Sequence, residues 1–292
     1  MTLRARAFIL MQQLLPQHLL TAAVYWLARR RSRWLKNALI RGFCRLFPID
    51  LTEAEFGDAE GYADFNAFFT RALQDGRRPL STEPNALLSP CDGTVSERGT
   101  IDGSQLLQAR LSAKCHSYSL EALVGDAGRA APFVGGEFAT IYLAPYNYHR
   151  VHVPMAGRLS SIHYVPGALY SVNATTAAAV PGLFARNERV VCHFDTAGGP
   201  LAVIFVGALN VGSVSLVGTG EVTPRRPRTP CQIELPATCD FAAGAQLGHF
   251  NMGSTVILLL PQGRVSWLAP FTPGASVQVG AAIGQLAPAA PP

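Results

Sequence analysis

Three short stretches of this 292-residue sequence carry side chains whose types and spacing could do chemistry. In Ser89-Pro90-Cys91-Asp92-Gly93-Thr94-Val95 a carboxylate sits on a Pro/Gly turn just ahead of a strand-like run, although Asp-Gly is also a common turn dipeptide with no other duty. Tyr148-His149-Arg150-Val151-His152-Val153-Pro154 holds two of the seven histidines, three residues apart. On a strand such positions face opposite ways, so the two rings share a site only if His149 lies in the turn that Pro145-Tyr146-Asn147 announces. Without that turn one of them is ordinary packing. Metal ligation is the usual reading of a histidine pair, but no nearby Cys or carboxylate completes a ligand set. In Leu247-Gly248-His249-Phe250-Asn251-Met252-Gly253-Ser254-Thr255 a small-residue turn feeds the apolar run Val256 to Leu260. Asp92, His152 and Ser254 have the make-up of a triad: a carboxylate that orients an imidazole, and an imidazole that takes a serine proton. Ser254 lacks the Gly-x-Ser-x-Gly elbow, and strands here do not alternate with helices, which disfavours an ordinary α/β-hydrolase. Gly253-Ser254-Thr255 also reads simply as the start of a strand.

The elements that must hold these residues follow from pattern. Residues 1 to about 75 read as helical, with Pro16 and Pro48 as breaks and a polar, acidic interval from Thr52 to Asp64. From Leu87 onward, short β-rich runs alternate with turn signals: Phe138 to Leu143, Val190 to Phe194, Leu201 to Val206 and Thr255 to Leu260. The expected fold is α+β: N-terminal helices over residues 1–75, then a mostly antiparallel, sandwich- or barrel-like β domain over 76–292. With 49% apolar and 15% charged residues, the chain can bury a substantial core. The six cysteines include no CxxC pair, and free thiols in a reducing, cytoplasmic setting are expected, with no structural metal.

Charge is unevenly placed. Arg4, Arg6, Arg29, Arg30, Arg31, Arg33, Lys36, Arg41 and Arg45 all precede the first acidic residue, Asp50. They alternate with Leu19, Leu20, Val24, Trp26, Leu27, Trp34, Leu35 and Phe43, a mixture that suits an anionic membrane surface better than nucleic acid. The unbroken apolar core between Ala7 and Ala28 is too short to span a bilayer. The segment therefore reads as helices lying on a membrane; packing of the same apolar faces on the protein's own core is the alternative.

The run Phe250-Asn251-Met252-Gly253-Ser254-Thr255-Val256 resembles the Gly-Ser-Thr processing motif of the phosphatidylserine decarboxylases, and Tyr148 to Pro154 resembles the same family's His-Arg-Val-His stretch. Pro90-Cys91-Asp92-Gly93 is similar to its Asp-Gly turn. Further likeness runs through Phe65 to Pro79, Lys114 to Leu120, Pro166 to Asn173 and Val206 to Ser213, in the family's order. Two positions depart: Asn147 stands where the bacterial enzymes have Asp, and Asn251 where they have Lys. The first bears on the orientation of His149; neither removes the chemistry.

The resemblance implies a two-stage use of one site. His152, oriented by Asp92, takes the Ser254 proton, and the oxygen attacks the Gly253 carbonyl, giving an ester. Elimination leaves a dehydroalanine, which hydrolyses to a pyruvoyl group and ammonia. A β chain of residues 1–253 and an α chain of residues 254–292 result, forming a heterodimer that could itself pair. The pyruvoyl cofactor derived from Ser254 then receives the amine of phosphatidylserine and accepts the electrons released as carbon dioxide leaves, yielding phosphatidylethanolamine. His149 is the expected acid that protonates the carbanion, because it can change charge near neutral pH. Ser171 is a candidate hydrogen bond to substrate, or a turn serine. The implied location is the cytoplasmic face of the cell membrane, peripheral or monotopic.

Two other readings stand beside this one. Gly274 to Gly284 resembles the strand-turn pattern of biotinyl and lipoyl carriers, but has no Lys at the position such carriers modify. A membrane-bound serine hydrolase would use Asp92, His152 and Ser254 without cleavage.

Overall fold

The computed structural model describes residue 12 and residues 16–111, 114–209, 213–223, 229–252 and 255–287. Helix α1 (Gln17–Ala28) starts straight after Pro16, and α2 (Arg33–Leu46) stops two residues before Pro48, as the breaks predicted. A short α3 (Phe65–Phe69) is capped by Asp64, whose carboxylate accepts from the Ala67 N–H at 2.8 Å. Ile40 of α2 and Phe65, Phe68 and Phe69 of α3 form a small aromatic core with Tyr62. No helix among the described residues is long and apolar enough to cross a membrane.

The rest is built on a nine-stranded sheet. From edge to edge it runs Cys231–Ile233, Gly157–Val165, Arg189–Thr196, Gly199–Val206, Thr255–Leu260, Glu137–Tyr142, Gly93–Thr100 and Ser276–Val277, with Asp240–Phe241 also paired to Gly157–Val165. All these pairings are antiparallel, and among the described residues the sheet does not close into a barrel. Thr255 to Leu260 are all buried, which is why that strand reads as one apolar run rather than as an alternation. It lies between Glu137–Tyr142 and Gly199–Val206, both of them largely buried. A four-stranded sheet, ordered Gly220–Glu221, Val214–Leu216, Gln246–Phe250, Arg150–His152, packs beside it.

Register decides what meets at the functional end. Thr255 opposes both Tyr142 and Val206; Thr94 opposes Tyr142; Val206 opposes Arg189, and Arg189 opposes Val165. The start of Thr255–Leu260, the Asp92 turn and the loop after Val165 therefore emerge at one end of the sheet. The second sheet brings the histidine stretch there, pairing Arg150 with His249 and His152 with Gln246. The carrier-like hairpin is not formed: Ser276–Val277 joins the large sheet, whereas Ala282–Leu286 pairs with Ala86–Leu88 and Val265–Trp267 in a separate one.

Two glycines give opposite expectations. A Cβ at Gly93 would lie 2.4 Å from the Tyr142 carbonyl oxygen, whereas at Gly42, within α2, it would meet nothing within 4 Å. Gly93→Ala should cost about 1–3 kcal/mol, and Gly42→Ala should stabilise by about 0.5–1 kcal/mol. Chemical unfolding of the two variants beside the wild type checks both signs.

Candidate active site

His152 ends the short strand Arg150–His152, and its backbone N–H donates to the Pro90 carbonyl at 2.7 Å, tying the histidine stretch to the Asp92 turn. Its Nδ1 is 2.8 Å from the Gly244 carbonyl and its Nε2 is 3.1 Å from the Tyr148 hydroxyl. A carbonyl only accepts, so Nδ1 carries the proton and Nε2 presents its lone pair to the tyrosine. Burial, opposed in part by the Gly244 carbonyl, lowers the His152 pKa and keeps that lone pair available at neutral pH. The tautomer needed of a general base is therefore set by a backbone carbonyl. Tyr148, whose hydroxyl burial pushes up to about 12, is the group that meets Nε2.

Asp92 is placed differently from the sequence expectation. Its buried carboxylate is held by Arg78, with Nε 3.0 Å from each oxygen and Nη2 2.6 Å from Oδ2, and it also accepts from the Val279 N–H at 2.8 Å. No hydrogen bond joins it to His152 among the described residues; it acts on that ring through its charge, which favours the imidazolium. Arg78 also reaches Glu53 at 2.9 Å. Burial alone would lower the Arg78 pKa, but the hydrogen bonds to Asp92 and Glu53 outweigh it and raise it. Removing either partner of a buried pair like this typically costs about 3–5 kcal/mol, because the other charge is left uncompensated.

His149 lies two residues beyond the Pro145–Asn147 turn, between it and the strand Arg150–His152, rather than in the turn itself. It is fully buried, stacked on Phe69 with ring centroids 4.0 Å apart, and neither ring nitrogen has a hydrogen-bond partner among the described residues. Burial first, and the nearby Arg71 charge second, push its pKa down to about 3. The expectation that it changes charge near neutral pH therefore does not hold for the free protein: its apolar, cation-flanked surroundings keep it neutral. Asn147 caps the turn by accepting from the Ala144 N–H at 2.8 Å, a bond an aspartate could make equally.

Gly253 and Ser254 lie outside the described residues. Asn251 is buried; its amide donates to the Ser213 hydroxyl at 2.8 Å and the Ser215 hydroxyl at 2.9 Å, and its carbonyl oxygen accepts from Asn66 at 3.0 Å. Met252 has φ 117°, a conformation rarely adopted by a residue with a Cβ. The Phe250 N–H donates to the His149 carbonyl at 3.1 Å, so this strand end and the histidine turn are directly joined. Ser171 stands in the loop after Val165, half-buried, and its N–H donates to Gln12 at 2.8 Å. Asn187 fastens the same loop, donating to the Tyr170 and Gly207 carbonyls, both at 2.8 Å.

The family profile described as phosphatidylserine decarboxylase matches residues 65–285, and one described as PSD matches residues 7–48. The chain belongs to the phosphatidylserine decarboxylase family. It is 50% identical to the phosphatidylserine decarboxylase proenzyme of Ectopseudomonas mendocina (strain ymp), over 97% of this chain and 99% of that one. The corresponding proenzyme of Methylococcus capsulatus (strain ATCC 33009 / NCIMB 11132 / Bath) is 48% identical over 96% of each chain. That of Pseudomonas aeruginosa (strain LESB58) is 47% identical, over 96% of this chain and 97% of its own. As a member of the family the chain is a decarboxylase, made as a self-processing proenzyme that acts on phosphatidylserine.

Against that background, the residues that motif reading missed are the partners: Tyr148 and Gly244 around His152, Arg78 on Asp92, and Arg71 beside His149. Arg78 and Arg71 fall within the Phe65–Pro79 likeness, but a stretch of similarity does not say which side chain meets which.

His149 also predicts an acid sensitivity. Its folded-state pKa of about 3 lies below the unfolded value near 6.5, so its contribution to stability is complete above about pH 6.5 and is lost as pH falls toward the folded value. Between pH 6.5 and 4.5, His149→Phe should lose about 2 kcal/mol less stability than the wild type. Denaturant midpoints measured across that range test the difference.

Proposed function

We propose that the chain cuts itself between Gly253 and Ser254, into chains of residues 1–253 and 254–292, and uses a pyruvoyl group formed from Ser254 to convert phosphatidylserine to phosphatidylethanolamine. The observation that carries this reading is the meeting, at one sheet end, of the strand beginning at Thr255 with the buried His149 and the half-buried His152, whose Nε2 lone pair is preset by Gly244. His152 would take the Ser254 proton, directly or through the Tyr148 hydroxyl that faces it. Asp92 favours the resulting imidazolium by its charge and, through Arg78, fixes the turn on which the strand rests. The positive φ at Met252 lends the preceding backbone about 1–3 kcal/mol of strain that cleavage can release.

The described residues suit a carbonyl group at position 254. Both ring nitrogens of His149 and the hydroxyl of Thr255, the next residue in the chain, are buried and have no hydrogen-bond partner among the described residues. A pyruvoyl group there would supply the carbonyl that takes the substrate amine and receives the electron pair left by carbon dioxide. His149 holds the proton that the substrate carbon acquires. An anion entering beside it opposes the desolvation and the Arg71 charge that suppress its pKa, so the protonated ring belongs to the substrate complex rather than to the free protein. Ser171, on the loop clamped by Asn187, is proposed to donate a hydrogen bond to the substrate.

Residues 1–75 are proposed as the membrane-docking part and 76–292 as the catalytic part, at the cytoplasmic face of the cell membrane. Leu19, Trp26, Trp34 and Leu46 are 70%, 58%, 76% and 79% exposed, a costly display of apolar surface unless it meets lipid. Between α1 and α2 an apolar groove of about 350 Å³, lined by Leu27, Leu39, Phe43, Leu46, Phe65 and Met252, joins the exposed Leu46 to the residue before Gly253. It gives an acyl chain a dry route to the site.

Intact mass spectrometry is the deciding experiment: the wild type should yield the two chains with an amine-free residue at 254, and a serine hydrolase would stay whole. Ser254→Ala and His152→Ala should remain full-length. His149→Ala should cleave yet lose about 10²–10⁴ in turnover; a loss under tenfold removes it from that role. Borohydride should inactivate only cleaved protein.

Docking has its own test. Arg29 is paired with Glu221 at 2.8 Å, whereas Arg30 stacks on the Trp26 ring at 3.4 Å. Replacing Arg30, Arg31 and Arg33 by Gln should weaken binding to phosphatidylserine vesicles by up to about 1 kcal/mol per charge at low salt, and less at high salt. Unchanged binding would assign those faces to the protein's own core.

A further inference from the structure

Arg71 follows α3 by two residues and is only 5% exposed. Its Nη2 donates to the Tyr146 carbonyl at 3.1 Å and approaches the Asn147 carbonyl at 3.5 Å, so it grips the turn that carries His149. Its Nε and Nη1 have no hydrogen-bond partner among the described residues, and no carboxylate there forms an ion pair with it. A buried guanidinium with open donors is among the costliest arrangements a protein can keep, several kcal/mol without a counter-charge. Arg78, seven residues on, shows the ordinary solution, with Asp92 and Glu53 both in reach. Around the same turn His149 is also buried, with neither ring nitrogen in a well-formed hydrogen bond among the described residues and only the Asn147 backbone near enough to favour its charged form. Two adjacent unsatisfied groups at one end of a processing site describe a ligand subsite rather than two separate packing faults.

We propose that Arg71 is a substrate-binding residue that holds the phosphodiester of the phospholipid head group through its Nε and Nη1 edge. The ligand must be an oxyanion, since every open group on Arg71 is a donor and the charge is positive. The substrate brings two, a phosphodiester and a carboxylate. Pairing Arg71 with the carboxylate would stabilise the charge that has to disappear as carbon dioxide forms, and so would favour the ground state over the transition state. Pairing with the phosphodiester costs nothing at the reacting centre and supplies the anchor that orients it. The subsite also lies beside the small aromatic core of the helices, with the Arg71 guanidinium 5.6 Å from the Phe68 ring centroid; Phe65 of the same core lines the α1–α2 groove.

This inference rests on the proposed decarboxylation at position 254, and the experiment separates the two. In the wild type, cleavage and turnover of phosphatidylserine in mixed micelles test that reading; failure of either rejects it before Arg71 is considered. With both confirmed, Arg71→Gln and Arg71→Lys are brought to the cleaved state and assayed for KM, kcat and inhibition by phosphatidylethanolamine, which keeps the phosphodiester but has lost the carboxylate. The expected result is a rise of about 10- to 100-fold in KM for Arg71→Gln, the loss of a charged hydrogen-bonding partner. The inhibition constant should rise in step, and kcat should change under threefold. Arg71→Lys, which keeps the charge without the fork, should fall between. If Arg71→Gln does not cleave, Arg71→Lys carries the test alone, with a KM and inhibition constant both raised at least threefold. A KM that rises while the inhibition constant stays put would mean that the carboxylate is held instead, and overturns the proposal. So does an unchanged KM, or a fall confined to kcat, which is what a residue that merely supports the His149 turn would give.

Discussion

Everything at the functional end depends on how the turn at Asn251 and Met252 is clamped. Asn251 spends its whole side chain on Ser213, Ser215 and Asn66, and its backbone N–H donates to the Ser213 carbonyl at 2.9 Å. Met252 packs against both the β core and the aromatic core of the helices, and among the described residues it is the one partly buried residue the two cores share. Its φ of 117° is tolerable only because the surroundings over-determine it. Neither layer can shift without moving the other, and the next peptide bonds are those at which the family's processing motif falls.

The electrostatics divide the site in two. On the Asp92 side, charges are buried as pairs and fully hydrogen-bonded, which makes a rigid footing. On the His149 side, the guanidinium of Arg71 is left open and the imidazole is held neutral by burial. A protein optimised for stability alone would not bury unsatisfied groups next to each other, so the cost is best understood as stored for a ligand that satisfies them. Low dielectric serves both halves: it strengthens the pairs that exist and makes the site responsive to any charge that enters.

The strands were legible because their signal is composition. Val256 to Leu260 and Leu201 to Val206 are too apolar for anything but the middle of a sheet, and the breaks at Pro16 and Pro48 are steric. A turn ahead of His149 could be read from Pro145 and Asn147, but not that the ring would lie just beyond it rather than in it. The partnership of Asp92 could not be read in the same way. A triad template assigns a carboxylate to the nearest catalytic histidine, but Arg78 stands only fourteen residues away in the chain and offers a planar fork that one imidazole nitrogen cannot match. Nor could sequence show that a glycine carbonyl would take the orienting role, because backbone acceptors leave no trace in residue types. The same holds for the depressed pKa of His149, which comes from Phe69 and Arg71 packing around it rather than from any neighbour in the motif.

The departure at position 251 acquires a physical meaning in this frame. Where the family resemblance leads one to expect a lysine, this chain has a neutral amide, and the acid nearest the network is Glu221. Glu221 accepts from the Ser213 hydroxyl, which in turn accepts from Asn251, and it is also bound by Arg29 at 2.8 Å and by the Tyr25 hydroxyl at 2.9 Å. The positive charge facing Glu221 therefore comes from the end of α1 rather than from the strand that precedes the processing motif. Arg29 lies over the Tyr25 ring, 3.5 Å from its centroid, so both groups belong to one face of that helix. The result is an unbroken run of hydrogen bonds from α1 through Glu221 and Ser213 to Asn251. With a lysine at 251, the turn could hold its own counter-charge whatever the helix did. With asparagine, the cation that answers Glu221 belongs to the end of α1, so lifting that helix would leave the half-exposed Glu221 carboxylate to water and to the Ser213 hydroxyl, while Asn251 keeps its own bonds to Ser213, Ser215 and Asn66.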